Sequence, residues 1–598
     1  MRILTASDRA LLVEAADLDE AMRLNLAWDG VPGVVERIPG ARTVLVRFDP
    51  VRVSAAALAD VLAATTADAA GAGAAREVTV PVRYDGEDLA EVATLLGVSA
   101  SDVVGRHLAA DWQVAFSGFA PGFGYAVSGD ALFDVPRRSS PRTRVPAGSV
   151  ALAGHFTGVY PRESPGGWQL IGRTDAVMWD IDRDPPALLS PGTRVRFVRA
   201  EREMVEVPER AQRDEGSERP SSRRFAPRSG TVQADEGWVA ELVEAPRPAV
   251  EVVRPSLQLL IQDLGRPGHA ALGVSASGVA DRTALRDVNR AVGNAATAAV
   301  LESVGGAVLR FRGAGVAAVA GAIGALTLTD VEGTARPIAH GVPFATVDGD
   351  ELHLGAPERG LRYVIGVRGG IRSAASLGST ASDTLAGLGP APLNAGDVVE
   401  IGTDAPHAVD PYPQLRSLPA SGDLVVLDIT LGPREDWFTP AALATLTDQE
   451  WVVTPRSDRV GIRLHGERSL ERAVPGELPS EGAVTGAIQV PADGQPVLFL
   501  PDHPLTGGYP IIGALTDCCL DLAGQLPPGA RIRFRVAAPG AAVGCRGADA
   551  ADAACPPSTR RADAEPSLKS DTDAAPAAST TRRARRASQT ATGEGLPS

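Results

Sequence analysis

Pro191-Gly192-Thr193-Arg194-Val195-Arg196-Phe197 returns near the end of the chain as Pro528-Gly529-Ala530-Arg531-Ile532-Arg533-Phe534. In both copies a Pro-Gly turn feeds a strand whose apolar residues alternate with arginine, the pattern of a half-buried β-strand. Two further blocks recur in the same order. Ile171-Gly172-Arg173-Thr174-Asp175 matches Ile512-Gly513-Ala514-Leu515-Thr516-Asp517, and His155-Phe156-Thr157-Gly158-Val159-Tyr160-Pro161 is matched with His503-Pro504-Leu505-Thr506-Gly507-Gly508-Tyr509-Pro510. Three ordered blocks indicate a diverged duplication. The chain reads as two related β-rich halves whose short strands and Gly/Pro punctuation have the texture of barrels. A cleft shared by two such halves is the expected place for a ligand.

Working outward, residues 1–80 carry the order βαββαβ. Strand-like Ala10–Ala15 leads into a helical pattern over Leu18–Trp28, then strands over Gly33–Ile38 and Thr43–Phe48, a helix over Ser54–Thr65 and a strand over Glu77–Val82. That order predicts a small ferredoxin-like α/β domain. Residues 81–200 form the first barrel in this reading, after helices near 88–96 and 101–110. Residues 201–245 are charged, aperiodic and rich in Pro, Ser and Arg, a linker. Residues 246–540 regain globular composition and contain the second barrel, and 541–598 read as a disordered tail. The fold class expected is α+β, mostly β.

Composition narrows the chemistry. The 598 residues imply about four domains, and 58 basic against 73 acidic residues leave a net charge of −15. Lys569 is the single lysine, so the other basic residues are arginines. A P-loop, a protein kinase, a Schiff-base enzyme and a biotin or lipoyl carrier each need a lysine in a structured site. Phosphate, if handled, falls to arginine, backbone amides and helix ends. The negative charge argues against nucleic acid as a partner. No apolar run is long enough to cross a membrane, and the opening MRILTASDRALLVEA lacks the apolar core of a signal peptide. Four cysteines without a Cys-x-x-Cys pair predict neither a disulfide framework nor a metal site. A cytoplasmic protein is the expectation.

Several residues have the chemistry of a site. Arg137, Arg138, Arg142 and Arg144 crowd one span and suit carboxylate or phosphate. Ser149 sits in a Gly-Ser turn, and Tyr160, Trp168 and Arg173 follow in the same Gly/Pro-rich stretch. In the second half Gln262, Asp263 and Arg266 open a dense segment, Asp281 begins a helical pattern that runs to Asn294, and Arg456-Ser457-Asp458-Arg459 place two cations, a hydroxyl and a carboxylate in one turn. Gln489, Thr506 and Tyr509 complete the candidate binding set. His155, Asp458, Glu481, Asp502 and His503 are the candidates for proton transfer or water activation.

The same stretches carry a resemblance. Phe116-Ser117-Gly118-Phe119-Ala120-Pro121-Gly122-Phe123, Pro141-Arg142-Thr143-Arg144-Val145-Pro146-Ala147-Gly148-Ser149 and Ser164-Pro165-Gly166-Gly167-Trp168-Gln169-Leu170-Ile171-Gly172-Arg173-Thr174 resemble the B component of 5-oxoprolinase, also called allophanate hydrolase subunit 1, the family of the kinase inhibitor KipI. Gln262-Asp263-Leu264-Gly265-Arg266-Pro267-Gly268, Asp436-Trp437-Phe438, Ser457-Asp458-Arg459-Val460-Gly461 and Gly486-Ala487-Ile488-Gln489-Val490-Pro491 resemble the C component, the KipA family. The resemblance covers roughly residues 8–200 and 246–537. It implies a small N-terminal domain followed by cyclophilin-like barrels, and fused B and C components that open 5-oxo-L-proline to L-glutamate with a separate A component. It further implies ATP, with a divalent cation such as Mg²⁺ expected beside it; with no lysine outside position 569, the density of arginine assigns neutralisation of the transferred phosphoryl group to Arg142, Arg144, Arg173, Arg456 and Arg459. Two alternatives stay open: a carboxyltransferase module of a urea-carboxylase-like system, and a regulatory protein that inhibits a sensor histidine kinase. Substrate, in any case a small amide, and self-association are left open.

Overall fold

Ala10, Leu11, Leu12 and Val13 are all buried, which successive strand residues achieve only when both faces of their sheet are covered. The structure, a computed structural model, describes residues 1–65, 76–138, 140–200, 247–414, 416–476 and 478–537. The linker expected at 201–245 and the tail expected at 541–598 lie outside the described residues.

The N-terminal sheet runs Arg2–Ser7, Ala10–Glu14, Thr43–Phe48, Val34–Pro39 in spatial order, all antiparallel. Helices Leu18–Ala27 and Ala55–Ala64 cover one face. Each starts at a side-chain cap: Asp17 accepts from Glu20 N–H and Ser54 from Ala57 N–H. Leu11, Val13, Val44 and Val46 meet Leu24, Trp28, Leu58 and Leu62 there. The opposite face, with Leu12, Ile38 and Leu45, packs on Val484, Ala487, Phe499 and Ile511 of the second barrel.

This corrects the ferredoxin-like expectation. Strand Glu77–Val82 does not close the N-terminal sheet but runs parallel to Arg194–Arg199 in the first barrel. Its place at the edge is taken by Arg2–Ser7, which needs only the tight Asp8-Arg9 turn to reach its neighbour. The alternation of Val78, Val80 and Val82 is buried in the barrel core instead.

The duplication is explicit in the strand order. The second barrel is closed, in the order Leu424–Leu431, Ile511–Leu515, Ala487–Gln489, Val497–Phe499, Gly461–His465, Trp451–Val453, Arg531–Val536. The first has the same order: Glu77–Val82, Gln169–Arg173, Ser149–Ala153, Phe156–Val159, Gly124–Val127, Trp112–Ser117, Arg194–Arg199, where Arg83 and Arg173 exchange backbone hydrogen bonds of 2.8 Å to close the ring. Each barrel has one parallel pair in the same place. Each carries a two-stranded ribbon, Arg142–Val145 with Ser164–Gly166 and Glu481–Gly482 with Thr506–Gly507. A buried tryptophan repeats too: Trp112 donates to the His107 carbonyl at 2.9 Å and Trp451 to the Leu446 carbonyl at 3.0 Å.

Residues 249–401 build a third body, a sandwich of a six-stranded and a five-stranded sheet around Leu309, Phe311, Val319 and Ile365. Helix Arg282–Val292 lies against the five-stranded sheet through Leu285 and Val288. Asp281 caps it, accepting from Ala284 N–H at 2.9 Å, and Gly293 ends it at φ 75°.

The barrels differ where His107 stands in place of Leu446. Its Nδ1 is 2.8 Å from Tyr84 Oη and its Nε2 2.9 Å from Thr157 Oγ1. Complete burial pushes its pKa down to about 3. An unfolded histidine titrates near 6.5, so between these values the unfolded chain binds the extra proton. The contribution to stability is full above about pH 6.5 and is lost as pH falls. His107→Leu, which copies the second barrel, is expected to shrink the stability lost between pH 7 and pH 5 by about 2 kcal/mol, read from urea unfolding at both values.

A candidate ligand site between the two barrels

The two ribbons face one another. The strand register aligns Gly166-Gly167-Trp168 with Gly507-Gly508-Tyr509, and these two Gly-Gly-aromatic turns line one cavity of about 240 Å³. Tyr509 is therefore the counterpart of Trp168, which corrects the expected match with Tyr160. Thr157 lies in a barrel strand and Thr506 in a ribbon, so the Thr-Gly block and the His155–His503 match do not hold.

Aromatic rings make the wall. Phe123 meets Tyr160 and Trp168 edge-on, at centroid distances of 5.3 and 5.2 Å, and Tyr125 meets Trp168 at 5.4 Å. The packing needs bare glycine: a Cβ on Gly166 would stand 2.2 Å from Tyr160 Oη. Burial pushes the Tyr160 phenol well above its ordinary range, so it stays protonated. Phe119 holds a φ of 62°, uncommon for a bulky side chain. Its N–H donates to Thr506 Oγ1 at 2.9 Å, and Tyr125 Oη lies 3.2 Å from the same oxygen. One hydroxyl of the second half thus anchors the aromatic loop of the first. A second link is Arg137 Nη2, which donates to Ser480 Oγ at 2.8 Å.

Of the residues expected from sequence, Tyr160, Trp168, Gln489, Thr506 and Tyr509 come together here. The arginines expected to take phosphate in the first half do not. Arg142 is held by Asp88 at 2.7 Å and Glu87 at 3.2 Å, Arg144 pairs with Glu163 on the surface, and Arg173 pairs with Asp85. Ser149 donates to the Pro146 carbonyl within its turn. His155 lies in a different cavity. Asp458 accepts from Val460 and Gly461 N–H in a tight turn, Ser457 donates to the Thr454 carbonyl, and Arg456 is exposed. Gln262 donates to the Ser382 carbonyl, Asp263 accepts from Ser379 and Thr380, and Arg266 donates to the carbonyls of Ser376 and Ala381. Asp281, besides capping its helix, takes Arg416 and Gln525.

The remaining candidates are buried fasteners. Glu481 receives Arg434 in a bidentate pair, closest approach 2.6 Å, both side chains buried. Arg459 is fully buried and bridges Glu302 of the sandwich to Asp502, with Nε at 3.0 Å from Asp502 Oδ2. Asp502 also accepts from Ser277 Oγ at 2.7 Å and from the N–H and hydroxyl of Thr384. Burial alone would raise the Asp502 carboxyl, but Arg459 and these donors hold it below the ordinary range. Burial and then the Asp502 charge push nearby Asp383 up to about 6. Burial pushes His503 down to about 4, so it is neutral at pH 7, with Nδ1 2.9 Å from the Pro504 carbonyl. With its hydrogen-bonding positions filled, Asp502 serves architecture rather than proton transfer.

Residues 1–189 match the family model "Carboxyltransferase domain, subdomain C and D", and residues 272–536 match "Carboxyltransferase domain, subdomain A and B". The 5-oxoprolinase B component of Escherichia coli O157:H7 is 43% identical over 173 residues, which are 28% of this chain and 79% of that protein. The 5-oxoprolinase C component of Escherichia coli K12 is 30% identical over 297 residues, 48% of this chain and 90% of that protein. The chain belongs to the carboxyltransferase-domain family of the 5-oxoprolinase B and C components. One polypeptide carries both family models. The crystal structure of TTHA0988 is similar over 88% of this chain and all of that one, at 33% identity with a TM-score of 0.70.

Sequence reasoning missed the cavity roles of Phe119 and Ser480, and it offered Arg137 only as one of four clustered arginines. Arg137 belonged to the arginine cluster, but nothing local separates it from Arg142, whose carboxylate partners come from a distant loop. Arg138 lines the cavity too, although Asp88 holds its Nη1 at 2.8 Å. Among the described residues no group of three or more His, Cys, Asp or Glu is placed to hold a metal ion. No helix among them is long and apolar enough to cross a membrane.

Asp502→Ala strands the buried Arg459 and is expected to cost about 3–5 kcal/mol, seen as a lower thermal midpoint of the full chain. Thr506→Val leaves the Phe119 N–H without its acceptor, with an expected cost of about 1–3 kcal/mol in the same measurement.

Proposed function

We propose that this chain is the fused B and C components of an ATP-dependent 5-oxoprolinase, opening 5-oxo-L-proline to L-glutamate with a separate partner that resembles the A component. The observation that supports it most is the content of the inter-barrel cavity: aromatic walls, Arg137 and the Gln489 amide in about 240 Å³. That is below the roughly 300–1,000 Å³ of drug-sized sites and suits a small ring. In this reading Arg137 takes the ring carboxylate by charge-assisted hydrogen bonds. The carboxamide of Gln489 has a donor and an acceptor with which to pair the lactam amide. The rings of Phe123, Tyr160, Trp168 and Tyr509 flank the ring and keep water from the activated amide.

ATP activates the lactam by phosphorylating its amide oxygen. The five arginines expected to take that phosphoryl group are spread over one largely buried and two exposed ion pairs, an exposed turn and a buried bridge. The cavity is also too small for a nucleotide alongside the lactam. We therefore assign nucleotide handling to the partner protein, and lactam binding and shielding to this chain. The divalent cation goes with the nucleotide.

The family's carboxyltransferase description supports one second reading, carboxyl transfer from a biotinylated partner to a small amide. A single experiment separates the two. The full chain with its A-type partner and ATP is assayed for glutamate from 5-oxoproline, with urea and allophanate in parallel. Glutamate release is the expected result; biotin-dependent carboxylation without it would move the assignment to the second reading. Arg137→Ala is expected to raise KM for 5-oxoproline about 10- to 100-fold, the loss of one charge-assisted pair.

A further inference from the structure

A second cavity, of about 570 Å³, lies behind the first, and Arg137 and Ser480 line both. Their 2.8 Å hydrogen bond is part of the partition. The two chambers differ in charge. Among the described residues no carboxylate lines the inner cavity, whereas the outer one has Asp17 and Asp134 together with Arg42, Arg137 and His155. Asp17 is engaged in capping its helix. Asp134 is 71% exposed, with His155 Nε2 at 3.9 Å and His155 Nδ1 within 3.1 Å of the Phe133 carbonyl. The outer cavity therefore opens to solvent past Asp134 and His155, and Arg42 lies 4.0 Å from its carboxylate neighbour, Glu14.

We propose that the outer cavity binds a dicarboxylic α-amino acid, with Arg42 and Arg137 taking the two carboxylates and Asp134 the α-ammonium. The proposal rests on the lactam reading and extends it to the fate of the product. Opening a lactam breaks its C–N bond. The hydroxyl of water joins the acyl carbon, and the ring nitrogen gains protons, leaving one new carboxylate and one ammonium. The lactam acid has a single carboxylate and no ammonium, which matches an inner chamber of cation and amide. Its product has an ammonium group that, among the described residues, finds an acid lining the outer chamber and none lining the inner. Arg137 lines both chambers, so one guanidinium borders the places proposed for the lactam and for its product. His155, which sequence placed among the catalytic candidates, keeps Asp134 company at the mouth of this chamber and is a positioning residue.

The test is calorimetric titration of the full chain with L-glutamate, with glutarate (the same two carboxylates without the ammonium) and with 5-oxo-L-proline, using wild type and Asp134→Asn. Asp134 is exposed, so its replacement spares the core. Wild type is expected to bind glutamate at least fivefold more tightly than glutarate. Asp134→Asn is expected to abolish that preference and to change 5-oxoproline affinity less than twofold. Equal binding of glutamate and glutarate by wild type, a glutamate preference that survives Asp134→Asn, or no glutamate binding overturns the outer site. If 5-oxoproline fails to bind while the Asp134-dependent glutamate preference is present, the lactam reading falls and the amino-acid site stands.

Discussion

The guanidinium of Arg459, wholly buried between Asp502 and Glu302, is the interaction on which the molecule's arrangement turns. Glu302 lies in the sandwich, Asp502 in the loop that leads to the second ribbon, and Ser277 and Thr384 bind the same carboxylate from two other sandwich loops. Burying these charges is costly in desolvation, and only a complete set of partners offsets the cost. The set is complete in a single relative placement of barrel and sandwich. Burial would lower the Arg459 pKa, yet the two carboxylates hold it above its ordinary range, so the cation persists at every accessible pH. The loop held this way continues through His503 and Pro504 to Thr506, and Thr506 in turn anchors Phe119.

From that fixed point the duplication acquires a direction. Two barrels of one topology present equivalent ribbons to each other, yet the half-sites differ in chemistry. The first supplies Phe123, Tyr125, Tyr160, Trp168 and Arg137; the second supplies Tyr509, Gln489, Ser480 and the Thr506 hydroxyl. A duplicated fold thus yields an unsymmetrical cavity. The N-terminal sheet closes the arrangement. Its second apolar face packs on the second barrel, and Glu36 accepts from Gly268 and Ala270 N–H, so the first residues of the chain touch both later bodies.

Much of this was legible in the residues. The Pro-Gly-x-Arg-x-Arg-Phe and Ile-Gly blocks mark equivalent strands, because strand alternation and turn glycines are local constraints. The helix starting at Asp281 is where its periodicity puts it. The Thr-Gly block misled because Gly-aromatic turns are common currency in β proteins, and Tyr160 and Tyr509 satisfy the same short pattern from different strands. Glu77–Val82 was correctly read as a strand and wrongly paired, since alternation reports that one face is buried but not against which sheet. Among the site residues, aromatics and glycines were better guides than charges. Trp168 and Tyr509 have few places to go in a small protein body other than a core or a cavity. Arg142, Arg144, Arg173 and Arg459 have many, and each found a carboxylate 19 or more positions away in the chain.

The sequence by itself determined the strand-rich class, the duplication, the family and the absence of lysine from residues 1–568, because these depend on composition and on patterns a few residues long. Only the tertiary structure decided which arginine lines a cavity and which is held away from it, that Asp502 and Glu481 are buried fasteners, and that two cavities share one wall. Those outcomes depend on desolvation and on partners distant in sequence, and no local pattern records either.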